Sequence, residues 1–356
     1  MAKKKLGLAF RYAVFKPLTW RSGFLSAVLL SCVAANSRAI SQPAPPSLQL
    51  PLACIINVDC WIAHYMDDDP SGAAADYLCG HRTYKGHTGV DFAIQDRRVM
   101  SKGVPVVASA DGTVARVRSD MPDSGVTAAT RQSVDTRECG NGVVLQHGDG
   151  WETQYCHLKK DSIVVQIGDR VSAGQKLGLI GLSGLTEFPH VHLTVRHTGR
   201  NIDPFIGVDR DKACGLGNHP LWRPDVMSAL DYQPFAIYHA GFADRAPDAT
   251  SVRTGLFDSN ALRSTAAIIA LWVDIFGAAK NDVLSMRITG PDGSILVERR
   301  QIMSDDRDAY FAFIGKKHGQ RDWPLGNYVG EITLTRPIAV QGGAFEKRVV
   351  RKARIE

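Results

Sequence analysis

The sequence predicts a mainly β protein whose C-terminal part is an immunoglobulin-like β-sandwich. Three observations carry that expectation. From about residue 54 to 222, short apolar runs rich in β-branched residues are punctuated by glycine. No segment there keeps a long helical period. From about 232 to 356, several alternating runs recur at short spacing. In the first region, Gly103 to Val117 reads as a hairpin around Asp111-Gly112. Residues 119–138 are polar and Ser/Thr/Asp-rich, an excursion between two strands. Gly142 to His147 is an apolar strand followed by the turn Gly148-Asp149-Gly150. Ile163 to Ile180 has turns at Gly168-Asp169 and Ala173-Gly174. In the second region, Ala267 to Phe276 reads as an apolar strand, and Val283 to Glu298 as a hairpin around Pro291-Asp292-Gly293. Tyr310 to Ile314, Tyr328 to Thr335 and Phe345 to Ile355 complete the strands. None of these carries clustered His, Asp, Glu or Cys, so the sandwich is chemically silent. It is left to position substrate, bind a partner or cover a groove, and its fold alone selects none of these.

A length of 356 residues suggests two domains, and 44% hydrophobic with 22% charged residues exclude a disordered, collagen-like or multi-span membrane chain. The formal charge of +6 is misleading. Residues 1–39 hold seven basic residues and no acidic one, so the remainder carries 35 basic against 36 acidic residues. A general affinity for nucleic acid is not supported. Within 1–39 a cationic stretch precedes an apolar run from Gly23 to Ala35, which suits an export signal and is short of the ~20 residues that span a bilayer. Ser37 with Ala39, or Val33 with Ala35, could frame cleavage. Residues 40–53 are proline-rich and read as a linker, leaving a domain at 54–225 and the sandwich at 232–356. The chain is expected to be exported, periplasmic or extracellular, and free of the membrane after cleavage.

Removing the signal removes Cys32 and leaves six cysteines, which in an exported chain read as three disulfides. No C-x-x-C pair favours a cysteine metal site. If the strands flanking Gly148-Asp149-Gly150 form a hairpin, Cys139 and Cys156 sit together at its open end. Cys54 and Cys60 form a local second pair, leaving Cys79 with Cys214.

Two segments carry chemistry: Gly86-His87-Thr88-Gly89-Val90-Asp91 and Pro189-His190-Val191-His192. Residues two apart on a strand share a face, so His190 and His192 can line one cavity. His87 and Asp91 lie ~13 Å apart if extended, and Gly86 and Gly89 permit a bend that closes the distance. Two imidazoles and one carboxylate suit zinc, with a fourth position left for water. His157, in Tyr155-Cys156-His157-Leu158, can reach the same cavity from a neighbouring strand.

The ordered set is more specific than its pieces. H-x-x-x-D is followed by G-x-P-V-x-A (Gly103 to Ala108), Gly140-Asn141-Gly142, Tyr155-x-His157-Leu158, G-D-x-V-x-x-G-Q (Gly168 to Gln175), G-x-x-G (Gly178 to Gly181) and H-x-H. Over roughly residues 80–205 this resembles the lysostaphin-type (LytM-domain) zinc peptidoglycan endopeptidases. The resemblance implies an antiparallel β-sheet metallopeptidase domain and one zinc ion held by His87, Asp91 and His192. It implies catalytic roles for His157 and His190, which polarise the water and stabilise the developing oxyanion, and peptidoglycan stems or cross-bridges as substrate. No H-E-x-x-H is present, so a thermolysin-like glutamate base is not available. Leu193-Thr194 follows H-x-H where many relatives have Phe-Glu, and Gly184-Leu185-Thr186-Glu187-Phe188 replaces a glycine-serine-threonine run. Both departures border the groove. A second reading is a non-enzymatic cell-wall binder or amidase activator on the same fold, although such proteins typically lose zinc ligands. A third is a peptidase of proteins. His64, His81, His147, His197, His219, His239 and His318 are expected to be surface or structural residues, and Trp61, Trp151 and Trp222 packing or groove-wall residues.

Overall fold

The structure, a computed structural model, describes residues 44–127, 130–257, 260–320, 322–338 and 343–356. The export signal expected over 1–39, Cys32 and the start of the expected linker lie outside the described residues. The first region holds strands β1 (Cys60–His64), β2 (Val90–Ile94), β3 (Pro105–Val107), β4 (Gly112–Arg118), β5 (Asn141–Gln146), β6 (Trp151–Leu158), β7 (Arg170–Val171), β8 (Lys176–Leu179), β9 (His190–His197) and β10 (Arg200–Ile202). Eight of them form one antiparallel sheet in the order β1-β2-β9-β6-β5-β4-β7, with β10 paired to β9. The helices are single turns: α1 (Arg97–Lys102), α2 (Pro224–Met227) and α3 (Ala249–Arg253).

The hairpin expected around Asp111-Gly112 does not form. β3 pairs with β8, and β4 pairs with β5 and β7. The two glycine-punctuated segments run antiparallel to each other, Pro105 opposite Leu179 and Thr113 opposite Arg170. Cross-pairing satisfies the same backbone groups as local hairpins would, and it places Val106, Val114, Val171 and Leu177 in the shared core. The hairpin around Gly148-Asp149-Gly150 does form, with Val144 opposite Gln154. The excursion between β4 and β5 contains one 3₁₀ turn, Arg131–Val134, and packs Met121, Val126 and Val134 into a small cluster of their own.

The expected linker is not free along its length. Leu48 and Leu52 are buried in the first core, Leu48 exchanging backbone hydrogen bonds with Leu221 and Arg223. Alternating leucines at 48, 50 and 52 give this stretch a strand's apolar face despite its prolines, and burying each stabilises by about 1.5–3 kcal/mol.

The second region is a two-sheet β-sandwich. Its strands are β11 (Ala236–Ala243), β12 (Ala261–Leu262), β13 (Ile268–Ala278), β14 (Val283–Thr289), β15 (Ile295–Ile302), β16 (Arg307–Lys317), β17 (Gly326–Pro337) and β18 (Ala344–Ile355). One sheet has the order β11-β13-β16 and the other β12-β18-β17-β14-β15. Leu271 and Val273 from the first sheet meet Ile288, Ile332 and Leu334 from the second in one core. Strict alternation along β17 buries Tyr328, Gly330, Ile332 and Leu334. Gly330 sets the spacing, because a Cβ there would lie 2.4 Å from Leu271 and 3.0 Å from Phe242.

The described residues contain all three expected disulfides: Cys54–Cys60, Cys79–Cys214 and Cys139–Cys156, with Cα separations of 6.1, 5.4 and 4.8 Å. No helix among the described residues is long and apolar enough to cross a membrane.

Candidate metal centre

Strand register brings the site together. β2 and β9 are antiparallel neighbours, with Asp91 opposite His192 and Ala93 opposite His190. The period of two along β9 puts His190 and His192 on Asp91's side of the sheet. His87 arrives from the loop before β2. Gly86 turns that loop at φ +77°, and Asp67 holds it: its N–H donates to the His87 carbonyl at 2.9 Å and its carboxylate accepts from the Gly86 N–H at 2.7 Å. Gly89 lets the loop run against β9, since a Cβ there would lie 2.3 Å from the Leu193 carbonyl oxygen and 2.8 Å from the His192 ring. His157 lies one residue before the end of β6, whose Cys156 is opposite His192. Its φ of +64° is in the left-handed region, a position that a β-strand histidine reaches only under constraint. The constraint comes from the Cys139–Cys156 bridge and from the His157 N–H donating to the Cys139 carbonyl at 2.8 Å. The His157 ring then lies 4.6 Å from that of His190.

One oxygen of Asp91 is the focus. Its Oδ1 lies 2.8 Å from His192 Nδ1, 3.1 Å from His87 Nε2 and 3.3 Å from His190 Nε2. Each imidazole is anchored through its other nitrogen. His87 Nδ1–H donates to the Tyr65 carbonyl at 2.6 Å, His190 Nδ1–H to the Phe188 carbonyl at 2.9 Å and His157 Nδ1–H to the Ser183 carbonyl at 2.8 Å. His192 Nε2 lies 2.9 Å from the Thr194 hydroxyl. The Tyr65 carbonyl assigns the His87 tautomer, so His87 Nε2 carries a lone pair, and it faces His192 Nδ1 at 3.0 Å beside Asp91 Oδ1. Two imidazole nitrogens and one carboxylate oxygen thus converge in a buried place, a donor set that a metal cation can bind.

The same crowding shifts the titration of these groups. Burial by itself would raise Asp91, but the surrounding imidazoles, His87 first, hold its carboxyl well below the usual range. Burial pushes His157 well below an ordinary histidine, with His190 and His192 adding to the effect, and burial also lowers His192. For His87, Asp91 outweighs burial and pulls it upward.

A zinc ion fits this set. Two nitrogens and one oxygen, all within 4.8 Å of one another, match its preferred donors, and their outer hydrogen bonds match the second layer that orients zinc ligands. A second grouping, Cys54, Asp59 and Cys60, is excluded because its two sulfurs are bonded to each other.

His64 belongs to the site as well, against the expectation of a surface or merely structural residue. From β1, its Nδ1–H donates to Asp91 Oδ2 at 3.1 Å and leaves Oδ1 to the other imidazoles. His64 precedes β2 by a long loop and no local motif marks it. Only the β1–β2 pairing, His64 opposite Asp91, reveals it. His147 stays structural, bridging the Asp111 carbonyl and the Thr153 hydroxyl. Trp61, Trp151 and Trp222 are buried.

The cluster opens in two directions. One opening, of about 190 Å³, is lined by Tyr84, His87, His157 and His192. The other, of about 400 Å³, is lined by His64, Asp91, His157 and His190 and, from the second region, by Tyr238, Phe276 and Asp308.

Comparison with known proteins follows this geometry. Residues 85–204 match the model of Peptidase family M23. The chain is 36% identical over 117 residues to the peptidoglycan DD-endopeptidase ShyA of Vibrio cholerae, which covers 33% of this chain and 22% of that protein. It is 32% identical over 122 residues to the DD-carboxypeptidase/endopeptidase Mpg of Neisseria meningitidis, covering 34% and 23%. It is 30% identical over 115 residues to the cell division protein DipM of Caulobacter vibrioides, covering 31% and 16%. The chain therefore spans about a quarter or less of the length of these relatives. Among solved structures, the catalytic domain of lysostaphin from Staphylococcus simulans is 25% identical, covering 39% of this chain and 89% of that one, at a TM-score of 0.25. Over residues 85–204, about a third of its length, this chain is thus similar to Peptidase family M23 and to relatives named as peptidoglycan endopeptidases.

Proposed function

We propose that the chain is an exported zinc metallopeptidase that hydrolyses peptide bonds in peptidoglycan stems or cross-bridges. The observation that supports it best is the convergence of His87 Nε2, Asp91 Oδ1 and His192 Nδ1, with His157 and His190 beside them. The family of residues 85–204 and the names of its relatives point to the same substrate class. Disulfides fit an oxidising compartment outside the cytoplasm.

In this reading His87, Asp91 and His192 hold the zinc. When bound, it supplies a Lewis acid beside a water whose pKa falls towards ~7. The chain's own groups handle the proton. His157 and His190 each have Nδ1–H anchored to a carbonyl, so each presents Nε2 as an acceptor. Burial keeps His157 neutral at neutral pH, the state a base needs. One of the two takes the proton from the attacking water, and the imidazolium so formed can donate to the developing oxyanion and return the proton to the leaving amine. His64 keeps the Asp91 carboxylate in one orientation throughout.

The test is digestion of purified sacculi by the zinc-loaded chain, with the released fragments identified by mass spectrometry. New amino termini within stem peptides or cross-bridges are expected from the wild type and not from Asp91→Ala. Sacculi that are bound but left uncut would overturn the hydrolase reading in favour of a wall-binding protein.

A further inference from the structure

The larger opening of the site is built by both regions of the chain. Its near wall is His64, His157, His190 and Phe188; its far wall is Tyr238 on β11, Phe276 on β13, and Asp308 and Ala309 on β16. The far wall is fixed to the near one. Trp61, Ala63 and Ala93 from the first sheet share a buried cluster with Ala236, Tyr238 and Phe276. Phe276 stacks on Tyr238 with centroids 4.0 Å apart and meets Phe188 at 5.1 Å. The buried guanidinium of Arg82 ties the Ala63 carbonyl on β1, at 3.1 Å, to the Gln233 carbonyl before β11, at 3.0 Å. A wall held by a buried aromatic cluster and a buried guanidinium is part of the site's permanent shape rather than a mobile cover.

The chemistry of that space is uneven. Phe188, Phe276, Tyr238, Leu185 and Val126 make it apolar toward the sandwich. Three charges stand in its lining: Arg131, from the excursion between β4 and β5, Glu187, before β9, and Asp308, at the start of β16. All three are exposed; Arg253, also there, is paired with Asp274.

From this we infer that the sandwich supplies a substrate subsite. The space between the histidine cluster and Phe276 takes a peptide segment that carries both a free carboxylate, met by Arg131, and a free amine, met by Asp308, with its aliphatic portion against Phe188 and Phe276. This rests on the peptidase reading for the identity of the occupant and not for the existence of the subsite.

The test separates binding from turnover. The probe is a soluble stem-peptide fragment purified from digested sacculi, in native, carboxyl-amidated and amine-acetylated forms, titrated calorimetrically into the full chain. Ala309→Trp fills the space from an exposed position opposite Phe276 and is expected to weaken binding of the native fragment at least about tenfold. Amidation is expected to cost about two- to fivefold in the wild type and nothing further in Arg131→Gln. Acetylation should behave likewise with Asp308→Asn. Should Ala309→Trp fold poorly, as judged by its melting temperature, the two exposed charge variants decide. Equal affinity of all three fragment forms for the wild type, or native affinity in Ala309→Trp, overturns the subsite. A wild-type chain that binds the fragment with these selectivities but leaves sacculi uncut supports the subsite and overturns only the hydrolase reading.

Discussion

Both regions of the molecule bury carboxylates, and they treat them in opposite ways. In the sandwich, Asp274 is fully buried, and its two oxygens accept from Arg253 Nε at 2.6 Å and Nη2 at 2.9 Å, with Tyr238 donating a further hydrogen bond. Asp282, equally buried, is gripped by Arg336 Nε and Nη2 at 2.8 and 2.7 Å. Each charge there is answered by a guanidinium from the chain itself. In the first region Asp91 is just as enclosed, yet among the described residues it is met by imidazoles alone, with the nitrogens of His87 and His192 turned toward its Oδ1. A buried carboxylate with a guanidinium is already neutralised by the chain, whereas one ringed by imidazole nitrogens is part of a donor set that a metal cation can bind.

That contrast can be broken from either side. The largest effect is expected for Asp91→Ala, His87→Ala or His192→Ala, each of which should bring hydrolysis of sacculi to background. Next, His157→Ala and His190→Ala should lower turnover about 10²–10⁴-fold while metal stays bound, as loss of a proton-transfer group does. Steady-state release of fragments measures both. In the sandwich, Arg336→Met should cost about 3–5 kcal/mol of stability by stranding Asp282, with metal content unchanged. A denaturation midpoint shift accompanied by loss of metal would erase the distinction between the two regions.

The disulfide beside the site gives a smaller effect. Cys139→Ser with Cys156→Ser should destabilise by about 3 kcal/mol, by the loop-closure estimate. It should also lower activity by releasing the backbone that holds His157 at positive φ. Unchanged turnover at low temperature would mean that the bridge stabilises without positioning.

How much of this could be read from the chain depended on locality. H-x-x-x-D, H-x-H and the cysteines flanking the Gly148-Asp149-Gly150 turn are short-range patterns, and their residues do meet. The far strands of the sandwich were legible because alternation along each is strong. What stayed hidden was non-local. The partner of β3 lies some seventy residues away, and a Gly-Asp turn signals the same local bend whether the chain folds back on itself or crosses to another segment. β11 packs on β1 although neither carries a recognisable motif, so the composite wall had no signature. His64 looked ordinary because its role depends on which residue stands across from it.

A pH profile tests burial in the first region without any metal. Asp203 is buried and its carboxyl is pushed up to about 7, chiefly by desolvation. The folded state therefore keeps a proton there that the unfolded state has released. Its contribution is fully present below about pH 4, and stability should fall between about pH 4 and 7 and then level off. Relative to Asp203→Asn, the slope is at most about 1.4 kcal/mol per pH unit. Parallel stability profiles of the two proteins across that window would show that Asp203 is charged in the fold.

The assignment of the centre is tested most directly by the zinc content of the purified full-length chain and of two variants after dialysis against trace zinc. One equivalent per chain is expected for the wild type and for His157→Ala, and essentially none for Asp91→Ala. A full equivalent in Asp91→Ala, or none in the wild type, would contradict the centre formed by His87, Asp91 and His192.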